Sequence, residues 1–553
     1  MESHHGVGIG RKLAIGKILV MAPPLPEPLD TPLEGSANDA KEKLKKAVAQ
    51  VSDELKHRLD NAHGEAKAVL EAQVLMAEDP TIFDSAAQKI DGGVNPGKAV
   101  FDTLADFQVQ YASLGEYFAA RVADLADISQ RIRAAVTGVE VPGIPESDEP
   151  FILLAHDLAP ADTATLDPSK VLALVTREGG PTSHTAILAR SFGIPALVGV
   201  HDLNTSDAVS GKTAIVDPIS GDIRIDPSAE DIAAAEAKLA EQVKAASGPK
   251  TPGSLADGTK VLLLANVGSG ADVPGAQEAA AEGVGLFRTE FLFLSSKTAP
   301  SVEKQKEEYK KVLAGFPGQK VTVRLLDAGA DKPLDFLNPD KEENPALGLR
   351  GYRALAANPQ ILRDQLTALK QAEEETEAEV WVMAPMISDL AESIEFVKVA
   401  KEIGHTQVGI MAEVPSLALI ADKIAPHVDF FSIGTNDLTQ YTFAADRLLG
   451  SVANFQDAWH PAVLKLIKSL GDAGSANSIS VGVCGEAASD PIMAVVLVGL
   501  GCFSLSMSAN AIADVRSELK KYDLVTAKAA AAAALDADSA VSAREAAMKV
   551  LGY

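Results

Sequence analysis

From about residue 36 to 135 the apolar positions recur at helical spacing. In EYFAARVADLADISQRI, Phe118, Val122, Leu125, Ile128 and Ile132 fall on one face. This block predicts a helical subdomain. On either side the pattern shifts to short apolar runs: residues 1–20 rise to KILVMA, which predicts one or two strands, and PPLPEPLDTPLEG then marks a boundary. Beyond the helical block, PFILLAHDL, VLALVTREGG, PALVGV and TAIVDP alternate with a helix beginning near His184. Such alternation predicts a compact α/β domain into which the helical block is inserted. After IRIDP, Ser228 with Asp231 three residues on is a capping-box pattern, and a charged helix follows as far as AASGPKTPGS. The stretch from Asp226 to Ser254 is the candidate hinge.

Past residue 255, eight apolar runs end in polar residues: VLLLAN, GVGLFR, VTVRLLD, WVMAP, VGIMAE, FFSIGTND, VGVCGE and FSLS. Eight strands separated by helical stretches predict a (β/α)8 TIM-type barrel. The expected organisation is an α/β domain over 1–25 and 143–226, a helical insert over 26–142, a linker helix and hinge over 227–254, and the barrel over 255–553. The Ala-rich tail from Asp523 to Tyr553 reads as helical packing.

Composition narrows the function classes. A formal charge of -26 would repel nucleic acid and anionic lipid, and the stretch from 21 to 140, with 20 acidic against 12 basic residues, is no exception. Any anionic ligand must be met by locally placed arginines. Two cysteines cannot form a disulfide framework, and MESHHGVGIG lacks a signal-peptide core, so a cytoplasmic location is expected. Residues 491–513 carry no charge and are long enough to span a bilayer. Pro491, two glycines and the strand-like CFSLS favour a buried helix-to-strand passage instead. The early GVGIG lacks the strand-to-helix unit of a dinucleotide site.

The barrel strand ends gather Asn266, Arg288, Asp327, Glu413, Asn436, Asp437 and Cys484 at one mouth. Glu413 and Asp437, on adjacent strand ends, suit one Mg2+ completed by substrate oxygens and water; a salt-bridged pair of acids is the plainer alternative. Arg288, Arg324, Arg350 and Arg447 would pile up positive charge unless an anion were bound, which points to a phosphorylated substrate. Asn436 adds a neutral donor. Cys484 ends strand seven whereas Cys502 precedes strand eight, so only Cys484 reaches the mouth, either as packing or as a proton donor. In GGPTSHTAILAR, His184 opens a helix, where backbone amides and the Thr182, Ser183 and Thr185 hydroxyls can stabilise added phosphate. No second histidine or cysteine lies at metal-ligand spacing.

GGPTSHTAILAR resembles the phosphohistidine signature of the phosphoenolpyruvate-utilising enzymes, and DFFSIGTNDLTQYTFAADR resembles their barrel signature. Within that family, the order of insert, phosphohistidine domain, linker and barrel is similar to the enzyme I group of the bacterial phosphoenolpyruvate:sugar phosphotransferase system. The resemblance implies that His184 is the phosphorylated residue on a swivelling domain, and that Glu413 and Asp437 bind Mg2+. It also implies that Arg288, Arg324, Asn436, Asp437 and Arg447 hold phosphoenolpyruvate and that Cys484, in GVCGEAASD, is the proton donor. It further implies a homodimer through the barrels and delivery of phosphate to the small histidine phosphocarrier protein, HPr. EAQVLMAEDP and Arg121 on the insert are the expected HPr surface. Two other readings stand beside it: a nucleotide-dependent relative of the pyruvate phosphate dikinase or phosphoenolpyruvate synthase type, and a non-catalytic sensor of phosphoenolpyruvate or HPr.

Overall fold

The computed structural model describes all residues except 1, 11, 23–24, 61–72, 114–121, 140–142, 146, 159–165, 168, 181–183, 204–208, 247–249, 295, 297, 330–333, 335, 338–341, 448, 450–451 and 453–454. The chain divides into two compact units, Met1–Ala240 and Glu241–Tyr553.

In the first unit, one sheet holds β1 (Glu2–His5), β2 (Val7–Ile9), β3 (Ala14–Val20), β4 (Phe151–Ala155), β5 (Val171–Thr176), β6 (Ala196–Val198), β7 (Thr213–Asp217) and β8 (Asp222–Ile225). Their order is β1-β8-β7-β3-β4-β5-β6-β2. The opening segment gives three strands where alternation predicts one or two, because Gly6 and a left-handed Gly10 (φ 76°) put corners into what reads as one run. The discounted GVGIG has a packing reason: a Cβ on Gly8 would collide with the Pro218 carbonyl. Strands β3 to β6 run parallel. All five residues of β4, FILLA, are buried, as expected of a parallel strand covered on both faces.

Between β3 and β4 come α1 (Ala37–Asp60), α2 (Pro80–Asp91), α3 (Pro96–Ser113) and α4 (Val122–Thr137). Their shared core includes Leu44, Leu55, Ile90, Leu104, Leu125, Ile128 and Ile132. Val122 is half-buried, and Phe118 lies outside the described residues. The helix α5 (His184–Phe192) follows β5, and α6 (Ala229–Ala246) starts with the anticipated box. There Ser228 Oγ accepts from Asp231 N at 3.2 Å and Ser228 N donates to Asp231 Oδ2 at 3.1 Å. Ile232 and Ala235 of α6 pack on Leu13, Ile15 and Ile215 of the sheet.

In the second unit, β9 (Leu262–Val267), β10 (Gly283–Arg288), β11 (Lys320–Arg324), β12 (Glu379–Ala384), β13 (Gln407–Ala412), β14 (Phe430–Ile433), β15 (Ser480–Val483) and β16 (Ser504–Met507) close into a parallel barrel. Alternate residues such as Val321 and Val323 face outward into the main apolar core, under the surrounding helices. A helix α7 (Thr435–Phe443) follows β14. The uncharged stretch after Asp490 folds as α8 (Pro491–Gly499), capped by Asp490, and then enters β16. No helix among the described residues is long and apolar enough to cross a membrane. The tail forms α9 (Leu524–Leu535) and α10 (Ala540–Leu551), whose Ala527, Ala530, Ala534, Ala543 and Ala547 are fully buried. Both cysteines are free and buried; Cys484 follows β15 and Cys502 precedes β16, at opposite ends of parallel strands.

Candidate active site

Parallel strands deliver their last residues to one end of the barrel, and the charged side chains are concentrated there. Arg288 is the last residue of β10 and Arg324 the last of β11. Glu413 directly follows β13, Asp437 sits in the first turn of α7, and Cys484 directly follows β15.

The arginines are held unequally. Arg324 is buried, its Nη2 3.0 Å from Glu290 Oε1 and its Nη1 3.4 Å from Asp327 Oδ2. Its Nε has no hydrogen-bond partner among the described residues. Burial works against its charge, but Glu290, Asp327, Glu413 and Asp437 together outweigh that and raise its pKa. Arg350 bridges two acids, with Nε and Nη2 on Asp327 at 3.2 and 3.1 Å and Nη1 2.9 Å from Asp437 Oδ1. Tyr441 Oη accepts from the same Nη1 at 3.0 Å. Arg447 Nη1 lies 3.2 Å from Asp437 Oδ2.

The expectation that four arginines stand uncompensated is therefore corrected for Arg324, Arg350 and Arg447, which carboxylates engage. Arg288 differs: no hydrogen bond or ion pair holds its guanidinium among the described residues. Arg288 keeps an exposed surface at the mouth, yet the protein packed around its guanidinium, and then the neighbouring charge of Arg324, pull its pKa down. An anion placed between the two guanidiniums would relieve this repulsion on Arg288.

Glu413 is buried, and its Oε1 accepts from Met386 N at 2.7 Å. Its Oε2 is buried with no partner among the described residues. Burial first, then Asp437 and Asp327, push its carboxyl well above the usual range. An orphaned carboxylate oxygen beside a second carboxylate fits a divalent cation, which would satisfy the oxygen and lower the carboxyl's pKa. No set of three or more His, Cys, Asp or Glu among the described residues could hold a metal alone. The remaining ligands would have to be substrate and water oxygens.

Cys484 is 2% exposed, its Sγ donates to Ile433 O at 3.5 Å, and burial pushes its thiol up to about 11, with nearby Ser432 pulling the other way. At neutral pH it is a protonated, uncharged acid. Asn436 Oδ1 accepts from Glu486 N at 3.2 Å, which leaves the amide NH2 as a donor. Asn266 ties strand ends rather than facing a ligand: Nδ2 donates to Cys484 O at 3.2 Å, and Ser506 Oγ donates to Oδ1 at 2.6 Å. Glu290, which braces Arg324, escapes sequence reading because RTEF carries no sign that its carboxylate turns inward.

In the first unit, His184 is the first residue of α5, just beyond the ends of the parallel β4 and β5. In open α/β sheets that is where ligands meet helix N-terminal amides. Thr176 Oγ1 donates to Glu178 O at 2.8 Å and Gly199 N donates to the same carbonyl at 3.4 Å, which pins the glycine turn. Thr185 is buried, with Oγ1 lacking a partner among the described residues. The His184 side chain, Thr182, Ser183 and Arg121 lie outside the described residues, as do Glu71 and Ala72 of EAQVLMAEDP.

Three family models match in chain order: PEP-utilising enzyme, N-terminal, over residues 5–121; PEP-utilising enzyme, mobile domain, over 147–221; and PEP-utilising enzyme, PEP-binding domain, over 242–524. A Streptomyces coelicolor protein named phosphoenolpyruvate-protein phosphotransferase is 49% identical over 99% of this chain and 98% of its own. A protein of that name from Bacillus subtilis is 38% identical over 94% and 95%. A solution structure of Enzyme I (nEIt) protein covers 44% of this chain and all of its own at 28% identity, with a TM-score of 0.38. The chain belongs to the PEP-utilising enzyme family, in its phosphoenolpyruvate-protein phosphotransferase branch.

Proposed function

We propose that the chain takes the phosphoryl group of phosphoenolpyruvate onto its own His184, releases pyruvate and passes the phosphate to the histidine phosphocarrier protein HPr, the opening step of phosphotransfer-driven sugar uptake in the cytoplasm. The observation that carries the reading is the barrel mouth, where Arg288, with no partner among the described residues, lies beside Arg324, and Arg324 feels the charge of the Glu413–Asp437 carboxylate pair. The two acids would hold Mg2+, which when bound spreads the charge of the transferring phosphoryl group. Arg288 and Arg324 bind the substrate's anionic oxygens, Arg447 and the Asn436 amide orient it, and Arg350 keeps Asp437 in place. Cys484 donates a proton to the methylene carbon of the enolpyruvate left behind, completing pyruvate.

The mouth and HPr cannot both be served from one position, so the α/β domain, 1–25 with 143–226, swivels on the linker over 227–254. The insert over 26–142 receives HPr, and the barrel over 255–553 pairs two copies into a homodimer. Relatives matched over nearly their whole length under a single name support this reading over the nucleotide-dependent one.

The two halves of the reaction separate experimentally. Glu413→Ala and Asp437→Ala should lose metal-dependent phosphorylation by phosphoenolpyruvate while His184 still exchanges phosphate with phosphorylated HPr. Loss of both activities in folded protein would return the acids to a structural role.

A further inference from the structure

Arg288 and Arg324 stand opposite one another on neighbouring strands, but the ladder between them is interrupted. Val284 pairs with Val321 and Phe287 with Val323, so β10 carries one residue more than β11 over the same stretch. A bulge of this kind re-aims the side chains that follow it and breaks the ladder that would hold them in register. The two strand ends need another hold.

That hold comes from a helix outside the barrel, Pro359–Glu374, whose Gln365 is fully buried. Gln365 Nε2 donates to Thr289 Oγ1 at 3.0 Å, and its Oε1 accepts from Leu326 N at 3.0 Å. One amide therefore spans the residue after Arg288 and the second residue after Arg324. Thr289 Oγ1 in turn donates to Arg324 O at 2.9 Å, tying the two strand ends directly. Gln365 Nε2 also donates to Tyr309 Oη at 3.1 Å, and that hydroxyl donates to Gln305 Oε1 at 3.0 Å. The Tyr309 ring packs edge-on against Phe287, the residue before Arg288, with centroids 5.9 Å apart. Turning the Gln365 amide over would set its NH2 against the Leu326 N–H, so a single orientation satisfies the network. An apolar side chain would avoid the cost of burying an amide; a fully bonded amide fixes one arrangement of the groups around it.

We propose that Gln365 is a positioning residue for substrate: by holding Thr289 and Leu326 it sets the spacing of Arg288 and Arg324, so that both guanidiniums meet phosphoenolpyruvate's anionic oxygens together. The inference rests on those two arginines binding the substrate, and Gln365 acts only through them. Guanidinium donors form a rigid planar fork, so a displacement of about 1 Å in one strand end is enough to spoil their joint grip on an anion.

The test uses the full chain with phosphoenolpyruvate, Mg2+ and HPr. Gln365→Met keeps the volume and removes the hydrogen bonds, Thr289→Val removes the hydroxyl at the other end of the link, and Thr289→Ser keeps that hydroxyl. Gln365→Met and Thr289→Val should each raise the KM for phosphoenolpyruvate at least about tenfold and change kcat less than about threefold, the pattern of lost uniform binding. The double variant should raise KM no further than the worse single one, because both changes cut one link. Thr289→Ser should keep the parent KM, and phosphate exchange between His184 and phosphorylated HPr should persist in all of them. A parent KM beside a lowered Tm, a fall in kcat at parent KM, or additive KM increases in the double variant overturns the proposal. Arg288→Ala run in parallel separates the two claims: a parent KM there removes substrate binding by the arginine pair and the positioning together, whereas a raised KM there beside parent values in Gln365→Met and Thr289→Val removes the positioning alone.

Discussion

Cys484 and Glu413 show how burial decides the chemistry of single side chains. The thiol is held protonated, so Cys484→Ala should slow pyruvate formation about 100- to 10,000-fold, the usual weight of a general acid. Binding of phosphoenolpyruvate should survive in that variant; near-normal turnover by a folded Cys484→Ala protein would return the residue to packing. Glu413 titrates in the opposite sense to an ordinary surface acid. Its folded pKa is raised from 4.5 to about 8, so its contribution to the metal-free protein is present below pH 4.5 and lost as pH rises towards 8. Mg2+ should reverse this, because the cation binds the carboxylate. The Tm increase on adding Mg2+ should therefore grow between pH 6 and pH 8, and a pH-independent increase would contradict cation binding at Glu413. At this scale the sequence shows which residue types can do the chemistry, but not how they are compensated. That Arg350 is spent on Asp327 and Asp437 while Arg288 is not depends on side chains brought together from separate strands, and no local pattern encodes it.

Elements are legible because their signals are local. Eight apolar runs with polar ends announce the barrel, and Ser228 with Asp231 announces α6. The split of residues 1–20 into three strands is missed because glycine corners barely disturb hydrophobic alternation. The polar lining of the barrel interior, with Ser432, Ser504 and Ser506, is missed for another reason: serine or glycine at alternate strand positions looks like an ordinary polar face until closure turns that face inward. Contacts between elements carry function too. Gly485, next to Cys484, packs so closely on the start of α7 that a Cβ would collide with Thr435 Oγ1 and stand 2.7 Å from Thr435 N. Gly485→Ala should separate the strand-seven loop from the helix bearing Asp437 and cost about 1–3 kcal/mol of barrel stability. Pyruvate formation should fall while phosphate exchange between His184 and HPr persists, measured by half-reaction assays and thermal unfolding; unchanged turnover would show that this contact does not set the site.

Over the whole molecule, two compact units and three matched family segments follow one another along the chain. The insert leaves the sheet after β3 and returns at β4, so it contributes no strand to the fold that carries His184. Deleting residues 30–138 should leave His184 phosphorylation and pyruvate release intact but abolish transfer to HPr, with circular dichroism confirming that the α/β domain still folds. Persisting transfer would refute HPr docking on the insert. The central claim is that phosphoenolpyruvate phosphorylates His184, and mass spectrometry with isotopically labelled phosphoenolpyruvate and Mg2+ tests it most directly. The expected result is one acid-labile, base-stable phosphate per chain on His184, absent with ATP as donor and lost in His184→Ala; labelling by ATP alone, or a label that persists in His184→Ala, would contradict it.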